Sequence, residues 1–180
     1  MASTHVTDSF KLMGAGAAFK EQICEMIADS RLFMDLDWKD IEAMANYVQC
    51  YEVSTGTIIF KEGDPGSYMC LLVKGEVEIF KYDQQGKPHR IVQISHGRTV
   101  GEMSIIDGEP RSATCIASQA SVILLLTKDS YARIIHDRPV LAVHILSRIA
   151  KLVSQRLRGA SGKLVEYLGP ERRKNSPVVT

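Results

Sequence analysis

The stretch "VGEMSIIDGEPRSAT", Val100–Thr114, sets a Gly-Glu pair, a short apolar turn and a Gly-Glu-Pro-Arg-Ser run side by side. No ordinary strand or helix needs a glycine, an acid, a proline and an arginine in that order, so the segment reads as a built loop that holds something. If a short helix begins just after Gly101, its first backbone N–H groups have no intrahelical acceptor, and with the helix dipole they form an anion site. Arg111 can return to the same spot because Gly108 lets the chain turn and Pro110 stiffens the return. A guanidinium beside free amides is phosphate chemistry.

Glu102 is out of place in a site built for phosphate alone, since a carboxylate repels the anion. It makes sense as the acceptor for a sugar hydroxyl next to the phosphate. A ligand with one phosphodiester and a free ribose hydroxyl in close proximity is a cyclic nucleotide. Held in a β-barrel, its base needs an apolar lid, which a following helix can supply.

The surrounding chain fits that requirement. From Gln49 to Leu126 short β-branched runs ("TIIF", "MCLLV", "EVEIFKY", "RIVQI", "ATCIA", "SVILLL") are broken by turn residues at Gly63–Gly66, Lys74–Gly75, Asp83–Lys87 and His96–Gly97. Such spacing belongs to an antiparallel sandwich or barrel rather than a parallel sheet. Before it, "FKEQICEMIADSRLF" carries Phe19, Ile23, Met26 and Ile27 at helical spacing, and Asp37, with Asp40 at the third helical position, caps "WKDIEAMANYV". After it, Thr127 caps "KDSYARIIHD", and Pro139 opens a longer helix that Gly159 and Gly162 are expected to weaken or stop.

The expected fold is therefore mainly β, an antiparallel β-roll or jelly-roll barrel flanked by N-terminal and C-terminal helices. The expected division is a mobile arm over 1–18, one domain over 19–168 and a polar, basic tail over 169–180. In the long helix, Ala142, Ile145, Leu146, Ile149, Leu152, Val153, Arg156 and Ala160 fall on one face. Arg156 thus sits within an apolar stripe. Its charge has three outlets: it snorkels to water, pairs with an acid, or lies over the flat face of a base as a cation–π contact.

Composition excludes several classes. A net charge of +1 and a charged fraction of 24% give no bulk attraction for nucleic acid. From Leu146 onward eight basic residues stand against two acids, a bias that reads as a solvated helix face and tail, with no nucleic-acid recognition element beside it. No segment approaches the roughly 18 apolar residues of a membrane span. Cys24, Cys50, Cys70 and Cys115 lack C-x-x-C spacing, and with no secretory signal they read as reduced thiols of a cytoplasmic protein.

On these residues "GEMSIIDGEPRSAT" resembles the phosphate-binding cassette of the cyclic nucleotide-binding domain family, which includes catabolite activator protein, regulatory subunits of cyclic-AMP-dependent kinase and nucleotide-gated channels. "KEGDPGSYMCLLVKGEVEIF" is similar to that family's barrel turns. The likeness extends over roughly residues 30–160. It implies that Glu102 accepts the ribose 2′-hydroxyl and that Arg111 clamps the cyclic phosphate. Gly101, Met103 and Ser104 would contribute backbone, and Ser112 would touch the phosphate or the base edge. Val100 stands where the family often has an aromatic, and Ser104 where it often has Ala or Leu; neither change removes a polar contact.

Ser112 resembles the arrangement in catabolite activator protein and favours cyclic AMP, whereas relatives that prefer cyclic GMP often carry Thr there; the chemistry of the two hydroxyls keeps cyclic GMP open. The family implies no catalysis, and the sequence calls for no cofactor or metal. Output would pass to an effector protein or through self-association as a homodimer.

Three other readings compete. A cupin-type metal site would need convergent histidines, but His89 and His96 form no H-x-H pair. The chain could be the sensor part of a transcription regulator without its DNA-binding domain. It could also be a ligand-free relative serving only as an interaction domain, with Glu102 and Arg111 joined in a plain salt bridge.

Overall fold

The apolar runs "MCLLV" and "SVILLL" are continuous rather than alternating because both of their faces are covered. The computed structural model describes residues 9–14 and 19–168. Among these, nine strands form two sheets: β1 (Lys11–Gly14), β2 (Val48–Val53), β3 (Ile58–Phe60), β4 (Tyr68–Lys74), β5 (Glu76–Tyr82), β6 (Pro88–Ser95), β7 (Thr99–Val100), β8 (Thr114–Ala117) and β9 (Ser121–Thr127). One sheet has the order β1-β2-β9-β4-β7 and the other β3-β8-β5-β6, with antiparallel pairing throughout.

Strands β4 and β9 lie side by side in the first sheet, Leu71 opposite Leu124. Cys70, Leu72, Ile123 and Leu125 point into the roll, where they meet Ile59, Val77, Ile94 and Cys115 from the facing strands. Met69, Leu71, Leu124 and Leu126 alternate to the opposite face and meet a layer of helices. The core is therefore double, with one sheet shared between its halves.

That helical layer comprises α1 (Lys20–Ala28), α2 (Trp38–Met44), α4 (Lys128–Asp137) and α5 (Pro139–Leu168), while the short α3 (Met103–Asp107) lies in the quoted loop. Both expected caps are in place: Asp37 accepts from the Asp40 amide at 2.8 Å and Thr127 accepts from the Ser130 amide at 3.0 Å. Such caps stabilise a helix by about 1 kcal/mol each. Ile134 of α4 and Leu141, Ile145 and Ile149 of α5 complete the layer by packing with Ile23, Ile27 and Met44. Arg148 pairs with Asp35, and His144 lies 3.5 Å from Asp40, so polar contacts tie the flank of α5 to the α2 region.

The structure corrects several expectations. Part of the residue 1–18 arm is not loose: Lys11–Gly14 adds a strand to β2, because Phe10 is buried and sets its ring edge-on to Tyr51 at 6.0 Å. The rest of the arm (1–8 and 15–18) and the tail over 169–180 lie outside the described residues. Gly159 and Gly162 do not end α5, which runs through both. A single glycine costs a helix only about 1 kcal/mol, too little to break one with strong helix formers on either side. The first helix stops at Ala28, after which Leu32 and Phe33 enter the core from a turn. Leu146, placed by periodicity on the buried stripe, is 43% exposed, as the stripe that docks is Leu141, Ala142, Ile145 and Ile149.

Helix α5 therefore has a docked first half and a free second half, for residues 157–166 are exposed. Truncating Ile149, 1% exposed, to Ala should cost about 2–5 kcal/mol in urea unfolding. Leu157→Ala, at a position 66% exposed, should change stability by less than about 0.5 kcal/mol. Equal losses at the two positions would contradict this division of the helix.

Candidate functional site

The quoted loop starts where β7 ends and runs through α3 to β8. Gly101 turns it with φ +77°, a conformation that side chains disfavour. A Cβ there would also stand 2.5 Å from Nη1 of Arg111 and 3.2 Å from the Phe60 ring. Glycine is thus required twice, for the turn and for the guanidinium that packs against it. Gly108 closes α3 in the left-handed region, its amide donating to the Ser104 carbonyl at 3.2 Å. From there the chain doubles back to Arg111.

Arg111 is 3% exposed and, among the described residues, has no carboxylate within salt-bridge distance. Its Nη1 donates to the Gly101 carbonyl at 2.9 Å and its Nη2 to the Tyr68 carbonyl at 2.5 Å. The guanidinium carbon lies 4.3 Å from the Phe60 ring centre and 4.7 Å from that of Tyr68. Two aromatic faces and two carbonyls offset part of the cost of burying the charge. Burial lowers its proton affinity, yet an arginine keeps its charge in proteins. Its Nε is buried with no partner among the described residues, so the group retains a donor and a net positive charge.

The turn Gly63–Gly66 explains how the arginine is aimed. The Arg111 amide donates to the Asp64 carbonyl at 2.9 Å and the Gly63 amide donates to the Arg111 carbonyl at 2.9 Å. Gly66 packs so tightly on α3 that a Cβ would overlap Ser104. Lys81 of β5 donates to the Ser112 carbonyl at 3.0 Å and pairs with Glu62 at 3.1 Å, which fixes the residue after the arginine.

Glu102 stands at the N-cap of α3 but does not cap it. Its side chain is 1% exposed, and its Oε1 accepts from Nη1 of Arg156, which reaches down from α5. Arg156 Nη2 also donates to the Thr99 carbonyl at 2.7 Å. Oε2 of Glu102 is buried without a partner among the described residues. Burial pushes the Glu102 carboxyl above the ordinary carboxylate range; Arg156 is the chief influence pulling it back, and the backbone amide of Glu102 itself and the nearby Thr99 hydroxyl, buried without a full hydrogen bond among the described residues, pull in the same direction. The site therefore offers a buried cation seeking an anion and, on the same loop, a buried oxygen seeking a donor.

Residues 51–138 match the cyclic nucleotide-binding domain family. The chain carries a cyclic nucleotide-binding domain. It is 30% identical over 146 residues to the cyclic AMP receptor protein of Thermus thermophilus, covering 81% of this chain and 65% of that one. It is 25% identical over 118 residues to a cAMP-dependent protein kinase regulatory subunit of Blastocladiella emersonii, covering 66% of this chain and 29% of that subunit. A solved cyclic nucleotide-binding domain from Methylobacillus flagellatus superposes with a TM-score of 0.80 at 28% identity, covering 92% of this chain and 93% of that one. The chain spans a little under two thirds of the receptor protein and less than a third of the kinase subunit.

Within the domain, Gly101, Glu102, Met103, Ser104, Arg111 and Ser112 share one loop. Met103 is 45% exposed, Ser104 is buried against Gly66, and Ser112 is exposed. The acid and the arginine do not pair with each other; Glu102 takes Arg156, and Arg111 takes carbonyls. Among the three outlets for Arg156, the structure has the acid pair. Phe60, Tyr68 and Thr99 were not singled out by sequence. The first two end and begin strands on either side of the Gly63–Gly66 turn, and that placement is the one sequence signal that could have found them.

Elsewhere, His89 pairs with Asp83 at 2.8 Å in the exposed β5–β6 hairpin and His96 is on the surface. Among the described residues no three side chains of metal-ligating type converge, and no helix is long and apolar enough to cross a membrane. All four cysteines are buried free thiols; burial pushes Cys50 up to about 11 and Cys70 up to about 12, which leaves both protonated and inert.

The raised Glu102 has a thermodynamic consequence. The folded chain holds that proton more tightly than the unfolded chain, so stability falls as pH rises through the interval above the ordinary value of 4.5. In urea unfolding the wild type should gain stability relative to Glu102→Gln as pH is lowered from 7 towards 4.5, the other carboxylates being common to both. A difference that stays flat, or that moves the other way, would show that the carboxyl is not held in a protonation-favouring environment.

Proposed function

We propose that this chain is a cyclic-nucleotide sensor without catalytic activity, that cyclic AMP is its ligand, and that α5 passes occupancy to an effector protein or to a second copy. The observation that carries the reading is Arg111: a buried guanidinium with no carboxylate partner among the described residues, lying over the rings of Phe60 and Tyr68 and tied to the Gly101 carbonyl beside Glu102. A cyclic phosphate beside Arg111 meets a charged donor, and the ribose 2′-hydroxyl beside it meets the free oxygen of Glu102. Met103 and Ser104 supply backbone at the start of α3, where amides lack intrahelical acceptors.

The reading as a ligand-free interaction domain is less well supported. It expects the acid and the arginine to satisfy one another, and they do not. The Ser112 position supports cyclic AMP over cyclic GMP by its resemblance to the receptor type. Four free thiols suit action in the cytoplasm. No cofactor or metal enters the proposal.

A signal can leave only through a structure that contacts the ligand differently in two states. Helix α5 is placed for this, since Arg156 is bonded to the loop and the residues beyond it are exposed, including Leu157, Leu164 and Val165 at 59–69%. That apolar, basic surface is where a partner would sense a shift of the helix.

Arg111→Gln should weaken cyclic AMP binding by on the order of 100-fold, about 3 kcal/mol, in calorimetry while the circular dichroism spectrum is kept. Equal affinity in wild type and variant would remove Arg111 from the site. In a displacement titration cyclic AMP should compete better than cyclic GMP; the reverse order would overturn the choice of base and leave the site standing.

A further inference from the structure

Helix α5 brings a single guanidinium to the acceptor side of the loop, and both of its terminal nitrogens are in use. Nη1 donates to Glu102 Oε1 and Nη2 donates to the Thr99 carbonyl at 2.7 Å. This fork fixes the guanidinium against the junction of β7 and α3. Both bonds are made in the plane of the guanidinium and anchor it to a carboxylate and a backbone carbonyl of the cassette. What Arg156 governs is the carboxylate itself, for it binds one oxygen and leaves the other, buried and unpartnered among the described residues, as the acceptor.

We propose that Arg156 is a positioning residue for the ligand's sugar: by holding Oε1 of Glu102 it presents Oε2 to the ribose 2′-hydroxyl, so that α5 registers that hydroxyl. The proposal rests on the cyclic-nucleotide reading and adds to it what the helix senses. A charged carboxylate is acceptor-only and binds a hydroxyl about twice as strongly as a neutral group does. Burial alone would drive Glu102 toward its neutral form, and Arg156 opposes this. The effect is reciprocal: if Arg156 strengthens the contact between hydroxyl and carboxylate, the hydroxyl strengthens the hold of the carboxylate on Arg156. Among the described residues Arg156 makes the last bond from α5 to the barrel, so the sugar sets how firmly the helix is fastened at the point where its free half begins.

The test is calorimetry of cyclic AMP and 2′-deoxy cyclic AMP with the wild type, Arg156→Gln, Glu102→Gln and the double variant. Unfolding curves taken without nucleotide serve as the check on folding. The wild type should bind the ribose form at least about tenfold tighter than the deoxy form, as expected for one charge-assisted hydrogen bond. In Arg156→Gln that ratio should fall below about threefold, Glu102→Gln should give the same low ratio, and the double variant should add nothing. The preference for cyclic AMP over cyclic GMP should be the same in the wild type and Arg156→Gln, and Arg156→Lys should restore part of the ribose ratio. If Arg156→Gln weakens both sugars equally, or changes the base preference and leaves the sugar ratio intact, the proposal is wrong while the cyclic-nucleotide reading survives. If the folded wild type binds neither nucleotide, both fall together.

Discussion

A guanidinium removed from water without a carboxylate to meet it is the constraint around which this domain is built. Arg111 is nearly inaccessible, and each group that makes its position tolerable comes from a different part of the chain. Gly101 and Tyr68 give carbonyls, Phe60 and Tyr68 give ring faces, and the turn Gly63–Gly66 holds its backbone. These contributions are brought together only when β3, β4, β7 and β8 are closed into a roll. The site and the fold are in this sense one requirement, since a buried charge left partly unmatched is a cost the rest of the core must offset.

The shared sheet conveys that constraint to the helices. Residues of β4 and β9 alternate between the roll interior and the helical layer, so the arrangement around Arg111 and the seat of α5 rest on the same strands. Helix α5 is docked through Ile145 and Ile149 and fastened once more, further along, by Arg156 on Glu102. The first attachment is mainly apolar, with the Arg148–Asp35 and His144–Asp40 contacts at its flank, and uses no residue of the Gly101–Ser112 loop. The second is electrostatic, partly exposed, and made to the carboxylate that the ligand's sugar would use. In the proposed reading, a helix with a fixed root and a ligand-dependent second fastening shifts its distal half without disturbing the core.

Much of this architecture was legible in advance where local chemistry dictates the outcome. The caps at Asp37 and Thr127, the turn at Gly63–Gly66, six of the strands and the loop from Gly101 to Arg111 each announce themselves within a few residues. The placement of Lys11–Gly14 was not legible, because Phe10 is one aromatic in a polar arm and its partner Tyr51 is remote in sequence. Likewise β2 and the two-residue β7 lack a distinctive run, and they exist because neighbours pair with them. Periodicity placed Arg156 among apolar residues but could not choose between water, a base and an acid; that choice depends on how far α5 lies from Glu102, a tertiary quantity. The glycines of α5 show the converse, a local signal outweighed by its surroundings.

If Arg156 couples the loop to the helix, filling the loop is felt in α5. Hydrogen exchange read by mass spectrometry, with and without saturating cyclic AMP, tests it directly, because exchange reports local opening rather than mean position. The nucleotide should slow exchange at amides over 101–112 and also over roughly 150–160, around Arg156. Protection confined to 101–112, with α5 exchanging at the same rate in both conditions, would contradict that coupling.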